Sequence, residues 1–237
     1  MIQLTLNRGG KVIIPTLGVG RSQEIMLIIE ELVRTGFLPK VPVFIDGMVW
    51  DVTAIHTAYP EFLGHNIRKQ IFHKDQNPFL ADIFHEVASN EERKQVLEET
   101  GPCVVLATSG MLTGGPSVEY LKHLGNNPKN SLIFVNYQGE GSLGRRLQRG
   151  ERDIAFSNGS QQEMLQVKLE VYTIEGFSGH SSRRQLMNFL YKLSPKPKKI
   201  IIGHGESTKC LEFASAVHKL NHVETVAPRN LESIRVR

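Results

Sequence analysis

Residues 12–46 read VIIPTLGVGRSQEIMLIIEELVRTGFLPKVPVFID, and this stretch decides the fold. Its first apolar run, residues 12–16, predicts a buried strand, and the glycines that follow predict a turn. Residues 22–34 have the apolar spacing of an amphipathic helix, and residues 42–46 form the next apolar run. A strand, a helix and a second strand in this order predict a parallel sheet covered by helices.

The same alternation continues along most of the chain. Further strands are predicted at residues 103–107, 131–135 and 199–202, at the run that ends at Ile174, and near Val223 and Ile234. Further helices are predicted at residues 48–57, 61–72, 91–99, 117–124, 182–193 and 207–220. Residues 150–162 are polar and predict a boundary loop or a hairpin. The predicted fold class is α/β, with a mostly parallel sheet flanked by helices.

The composition is that of a folded protein rather than a disordered or membrane-spanning one. The 237 residues are 40% hydrophobic and 22% charged, and no apolar run approaches the roughly 20 residues that a membrane helix needs. Cys103 and Cys210 alone cannot make a disulfide framework or a four-cysteine zinc site. With no signal-peptide pattern after Met1, we expect a cytoplasmic protein with no membrane partner. The net charge of +4 is compatible with an anionic partner but is weak evidence for one.

Two of the nine histidines stand out by their position. His180 and His204 each follow a predicted strand and lie in a glycine-containing turn before a helix. Side chains at the carboxyl ends of parallel strands point toward the ligand crevice of α/β folds, so these two could share one site. The alternative is a pair of unrelated turn histidines. The other seven are interpreted as ordinary core or surface histidines.

A loop and a basic cluster are candidates for binding phosphate. The loop at residues 107–117 follows a strand and opens a helix, where hydroxyls and amides suit a phosphate, although a purely structural turn is an equal alternative. It lacks P-loop spacing, and Ser109 is not in a nucleophile elbow. Arg145, Arg146 and Arg149 lie close together in the sequence. They fit either a solvated helix face or contact with a nucleic-acid backbone.

Several stretches together resemble one enzyme family. Residues 7–24, 101–117, 136–147, 177–182 (FSGHSS) and 202–206 (IGHGE) are similar to the β-CASP metallo-β-lactamase nucleases. Within that family, the chain most resembles the archaeal homologues of the cleavage and polyadenylation specificity factor endonuclease subunit. The resemblance covers essentially the whole chain, and the motifs occur in the family's order.

The resemblance implies a domain division and an activity. Residues 1–168 correspond to a β-CASP domain, and residues 169–237 correspond to the C-terminal segment of a metallo-β-lactamase (αββα) domain. The implied activity is zinc-dependent hydrolysis of RNA phosphodiester bonds, in pre-mRNA 3′-end processing or RNA decay. The alternative is a non-catalytic RNA-binding or assembly module of the same ancestry. Single-stranded RNA and a second copy of the chain, in a homodimer joined through the C-terminal end, are the implied partners.

The family motifs also imply roles for particular residues. His180 matches the histidine that contacts the scissile phosphate, and His204 matches a ligand of one of two zinc ions. Candidate RNA- or phosphate-binding residues are Arg21, Ser109, Gly110, Arg145, Arg146 and Ser178.

One part of the family pattern is not found in this sequence. The H-x-H-x-D-H run that supplies most metal ligands is missing, and no H-x-H occurs at all. The helix predicted at residues 2–7 also has no capping residue before it. We therefore expect the C-terminal part of a longer enzyme, inactive alone and holding fewer than two zinc ions. Its missing partner would be an N-terminal metallo-β-lactamase segment, with which the strands near Ile174, Ile200 and Val223 would pair.

Overall fold

The computed structural model describes residues 1–158, 161–177 and 179–236. The chain divides into two compact units, Met1–Ser178 and Gly179–Arg237. None of the helices in the described residues is long and apolar enough to cross a membrane.

A six-stranded parallel sheet organises the first unit. Its strands are β1 (Val12–Pro15), β2 (Val43–Asp46), β3 (Phe84–Val87), β4 (Val104–Ala107), β5 (Ser131–Phe134) and β8 (Glu170–Thr173). They lie in the order β3-β2-β4-β1-β5-β8, and each neighbouring pair is parallel. The predicted α/β fold with a mostly parallel sheet is confirmed.

Helices cover both faces of this sheet. They are α1 (Ile2–Asn7), α2 (Arg21–Arg34), α3 (Val49–Ala58), α4 (His65–Lys74), α5 (Asn90–Glu98), α6 (Pro116–Leu124) and α7 (Leu143–Gln148). Successive side chains of β1 pack into the cores on opposite faces of the sheet, because the side chains of a strand alternate between its faces. Ile13 packs in a cluster with Tyr120 of α6, whereas Ile14 packs in a cluster with Met26 of α2. The central strands are therefore buried on both faces, as parallel sheets require.

The last strand of the sheet, β8, pairs within the first unit on one side. The strand near Ile174 was expected to pair with strands of a missing segment, and in the structure β8 pairs on one side with β5, in parallel, with Leu132 opposite Val171. An ion pair between Arg8 and Glu170, with the two atoms 2.7 Å apart, adds to this edge. Because β8 is the last strand of this sheet, its other edge has no partner among the described residues, and pairing there with a further segment stays a prediction. The polar stretch before it forms an antiparallel hairpin of β6 (Asp153–Asn158) and β7 (Gln161–Gln166), one of its two predicted forms.

The second unit is a smaller βαβ arrangement. It contains α8 (Arg183–Lys192), β9 (Lys199–Ile201), α9 (Ser207–Asn221) and β10 (Glu224–Val226), and β9 and β10 pair in parallel. Each of these strands has one partner and one edge without a partner in the described part of the chain, so their pairing with a further segment also stays a prediction. The strand predicted near Ile234 is not present in the described residues 233–236, which belong to no helix or strand. The backbone oxygen of Arg235 accepts a hydrogen bond from Lys199 Nζ at 3.2 Å. The predicted domain boundary at residues 168/169 stays a prediction.

Candidate functional site

Three loops meet at the carboxyl edge of the sheet in the first unit. They are the β1 loop (residues 16–20), the β4 loop (residues 108–115) and the β5 loop (residues 135–142). The connection after β1 leads to α2 on one face, and the connection after β4 leads to α6 on the other face. Adjacent strands whose connections part in this way leave a crevice at their carboxyl ends, which is where α/β proteins bind ligands.

Two amide side chains, the buried Gln138 and the half-buried Asn136, hold these loops together, and the sequence interpretation did not identify either. Gln138 is 1% exposed, and its Nε2 donates to the backbone oxygens of Gly110 and Asn136 at 2.8 and 3.1 Å. Asn136 Nδ2 donates to the backbone oxygen of Pro15 at 3.2 Å. A Cβ atom at Gly110 would lie 2.9 Å from Asn136 Nδ2 and 3.1 Å from the Thr16 carbonyl carbon. The loops therefore approach closely enough to require glycine at position 110.

The predicted phosphate-binding residues of the β4 loop already form hydrogen bonds within the protein. Ser109 Oγ accepts a hydrogen bond from the Thr113 amide at 2.9 Å, and the Ser109 backbone oxygen accepts one from Ser117 Oγ at 2.8 Å. Gly110 is buried, and its carbonyl is bound by Gln138. A phosphate at this loop would therefore share the Ser109 hydroxyl with the turn itself.

Arg21 lies at the first position of α2, with its side chain largely covered. The guanidinium carbon lies 5.2 Å from the centre of the Phe177 ring, and Arg21 also forms an ion pair with Glu24. Arg21, Glu24 and Phe177 line a shallow cavity of about 380 Å³. Ser178, which follows Phe177 in the sequence and was also predicted to bind RNA or phosphate, lies outside the described residues.

The predicted arginine cluster, on α7 and the residue that follows it, is extensively paired with carboxylates. Arg146 Nε donates to Glu151 at 2.8 Å, and this hydrogen bonding lowers the pKa of Glu151. Arg149 binds Glu140 through two hydrogen bonds of 2.6 and 2.9 Å. Arg145 Nε is buried without a hydrogen-bond partner among the described residues, 3.8 Å from a Glu140 oxygen. The structure therefore places these three arginines together, but Arg146 and Arg149 already donate hydrogen bonds to neighbouring carboxylates.

The second unit brings His180 and His204 together. Their ring centres are 6.5 Å apart, with an angle of 55° between the ring planes, and both residues are exposed. His180 lies shortly before α8, and His204 lies in the turn between β9 and α9. This proximity favours the shared-site interpretation over two unrelated turn histidines.

The backbone at His204 is unusual. Its φ angle is +61°, in the left-handed region that residues other than glycine seldom adopt. Glycines precede and follow it in the sequence, and a Cβ atom at Gly205 would lie 3.0 Å from Cys210 Sγ. Such backbone conformations cluster at binding and catalytic sites, because only the surrounding structure can maintain them. His204 also lines a cavity of about 350 Å³ with Arg183, Cys210 and Phe213.

These two histidines do not by themselves fit a zinc ion. Among residues 1–158, 161–177 and 179–236, no group of three or more His, Cys, Asp or Glu residues could hold a metal. Zinc in proteins takes three or four side-chain ligands. Two imidazoles supply at most part of such a set.

A buried ionic network near the carboxyl edge of the sheet was also not predicted. Asp46, at the end of β2, accepts hydrogen bonds from Arg93 Nε at 2.8 Å, Arg93 Nη2 at 2.9 Å and the Tyr120 hydroxyl at 2.9 Å. Burial, followed by the charge of Asp46, raises the pKa of Tyr120 well above its usual range. The sequence signal was Asp46 itself, a carboxylate directly after a buried apolar run. The network joins β2 to α5 and α6 and so stabilises the helix that follows the β4 loop.

Comparison with known proteins defines the class. The family model of the Beta-Casp domain matches residues 22–147, and that of the Zn-dependent metallo-hydrolase RNA specificity domain matches residues 164–228. This chain therefore belongs to the Beta-Casp family.

Individual relatives are similar over the whole chain. It is 52% identical to the transcription termination factor FttA of Methanocaldococcus jannaschii and 52% identical to that of Thermococcus kodakarensis. It is 48% identical to the factor of the same name from Lokiarchaeum sp.. Each comparison covers 100% of this chain and 37% of the relative, so the chain spans a little over a third of the length of these curated relatives.

Proposed function

We propose that this chain is the RNA-binding and site-completing part of a zinc-dependent RNA hydrolase that acts in transcription termination. The observation that carries the proposal is the pair of histidines, whose ring centres are 6.5 Å apart beside a left-handed backbone turn. A module that only bound RNA would need neither imidazole at this spacing. The name of the relatives, transcription termination factor, supports the biological setting.

The two histidines have different roles in this proposal. His180 donates a hydrogen bond to an oxygen of the scissile phosphodiester, where it stabilises developing charge or protonates the leaving oxygen. His204 contributes one ligand to the metal. Because the described residues contain no group that could hold a metal, the other ligands would come from parts of the protein outside this chain.

The first unit holds the RNA strand in this proposal. Its candidate contacts remain Arg21, Ser109, Gly110, Arg145, Arg146 and Ser178. The partners are single-stranded RNA, a metallo-β-lactamase segment that carries H-x-H-x-D-H, and a second copy of the chain, in the cytoplasm. Alone, the chain should be inactive and hold fewer than two zinc ions.

A chimera supplies the missing parts for a test. The segment of the Methanocaldococcus jannaschii relative that matches this chain is replaced by residues 1–237, and cleavage of a labelled oligoribonucleotide is measured together with zinc content. We expect zinc-dependent cleavage by the chimera. The His204→Asn variant should lose most of the cleavage and part of the zinc.

Asparagine is chosen at position 204 so that loss of the imidazole ligand is not confused with a change in the backbone turn. Asparagine tolerates a positive φ angle better than alanine does, so His204→Asn removes the imidazole and keeps the turn. The matched control is His222→Asn, because His222 also has a positive φ angle, +52°, and lies in the same unit. The control should cleave like the chimera. Full cleavage and full zinc content in His204→Asn would contradict the proposal and favour the non-catalytic binding module.

A further inference from the structure

Helix α4 presents a basic and aromatic face to solvent. His65, Arg68, Lys69, Phe72 and His73 lie at positions i, i+3, i+4, i+7 and i+8, which fall on one side of an α-helix. We call these five residues the α4 stripe. All five are exposed, whereas Ile67 on another side of the helix packs against the core. This helix therefore packs against the core through Ile67 and leaves the stripe uncovered.

The cations of the stripe are available for a ligand. No ion pair is formed by Arg68 or Lys69 within the described part of the chain, and Arg68 Nη1 makes only a 3.5 Å hydrogen bond to the Glu61 backbone oxygen. The stripe and Glu61 line a shallow groove of about 230 Å³. Glu61 is the acidic residue among the groove's lining residues, so two cations face one carboxylate there.

Two aromatic rings, one on α4 and one on the element that precedes it, are largely exposed. Phe72 is 61% exposed, and Phe62, in the short 3-10 helix Pro60–Phe62 that precedes and contacts α4, is 84% exposed. Proteins that bind single strands without sequence preference combine cations that contact the phosphates with rings on which the bases stack. The α4 stripe places both kinds of group on one helix face.

We propose that the α4 stripe is a second contact surface for single-stranded RNA, on which Arg68 and Lys69 bind phosphates and Phe72 stacks on a base. This inference rests on the proposed function for its choice of ligand. The unpaired cations favour an anionic, polymeric ligand over a purely apolar partner. The exposed ring beside them favours a single strand, whose bases are free to stack, over a duplex.

Affinity for a labelled 12-nucleotide oligouridine, measured by fluorescence anisotropy with the whole chain, tests the surface. Phe72→Ala should weaken binding about fivefold, the lower end of what one base–ring stack contributes, and Phe72→Tyr should restore it. Arg68→Glu with Lys69→Glu should weaken binding further. It should also reduce the logarithmic salt slope by about 1.4, the loss of two phosphate contacts on a single strand.

The control carries the same charge change on a different surface. Lys94→Glu with Lys129→Glu also reverses two exposed cations, and Lys94 lies on α5, which packs against the opposite face of the sheet from α4. This control should keep most of the affinity and the salt slope. Because every changed residue is exposed, unfolding midpoints should stay equal among the variants, and they are measured alongside.

Two results would overturn the inference. One is an unchanged RNA affinity in both α4 variants. If these variants instead altered self-association, the surface would be assigned to a protein partner. The other is an equal loss in the control, which would assign the effect to net charge. Either failure leaves the proposed function standing, because its test changes His180 and His204 and reads cleavage.

Discussion

Helices α7 and α4 both carry clustered basic residues on the first unit, but they differ in what those residues contact. Arg146 and Arg149 of the α7 region bind Glu151 and Glu140. Arg68 and Lys69 of α4 form no ion pair within the described residues and lie beside an exposed ring. The denser arginine cluster in the sequence is therefore the less available one in the structure, because nearby carboxylates compete with phosphates for its donors.

A third arginine, Arg93, binds a carboxylate in the interior of the first unit. It binds Asp46 through two hydrogen bonds, and the Asp46 side chain is 1% exposed, whereas the α7 pairs lie at the surface. Surface ion pairs contribute little to stability, but removing one partner of a buried pair leaves an uncompensated charge. The same residue type thus stabilises the fold at position 93 and shapes the surface potential on α7.

The largest expected effect concerns this buried pair. Asp46→Ala should lower the free energy of unfolding by about 3 kcal/mol, because Arg93 and the Tyr120 hydroxyl both lose their buried acceptor. Urea unfolding followed by circular dichroism measures the change. The matched variant is Glu151→Ala, which removes a surface carboxylate that also binds an arginine. If the two variants were equally stable, the distinction between the buried and surface pairs would fail.

A smaller effect is expected from substitutions that leave the arginines of the α7 region without carboxylate partners, like the cations of α4. Glu140→Gln with Glu151→Gln releases Arg146 and Arg149 from their carboxylates without adding a cation. Affinity for oligouridine at low salt should rise, and the logarithmic salt slope should steepen by up to about 1.4 if both arginines gain a phosphate. Anisotropy titrations over a salt series measure both quantities. Glu91→Gln with Glu98→Gln on α5 is the control for the change in net charge, and an equal gain there would mean that pairing on α7 is irrelevant.

Much of the fold could be predicted from local patterns. The strands β1, β2, β4 and β5 are apolar runs followed by turn residues, and their burial on both faces is what makes the runs continuous. β3 was missed because its sequence, Phe-His-Glu-Val, has two exposed polar residues in the middle. The strand near Ile234 was predicted wrongly, since alternation alone cannot supply the neighbour that a strand needs.

The candidate site could also be predicted from the sequence only in part. His180 and His204 could be selected from the sequence because each occupies a glycine-containing turn after a predicted strand. Their separation, the left-handed backbone at His204 and the bonds from Gln138 to Gly110 depend on tertiary structure, which no local pattern contains. The α4 stripe was missed for a related reason. Its helical spacing of polar residues is also typical of an ordinary solvated helix face, and only exposure and pairing distinguish the two.

The most direct test of the central claim is the single-turnover cleavage rate of the chimera with His180→Ala, measured with its zinc content. The imidazole of His180 is proposed to act on the phosphodiester and not on the metal. We therefore predict a rate lower by about 100-fold or more, the usual range for loss of a positioned proton donor, with zinc content unchanged. Cleavage at the rate of the unaltered chimera would contradict the account.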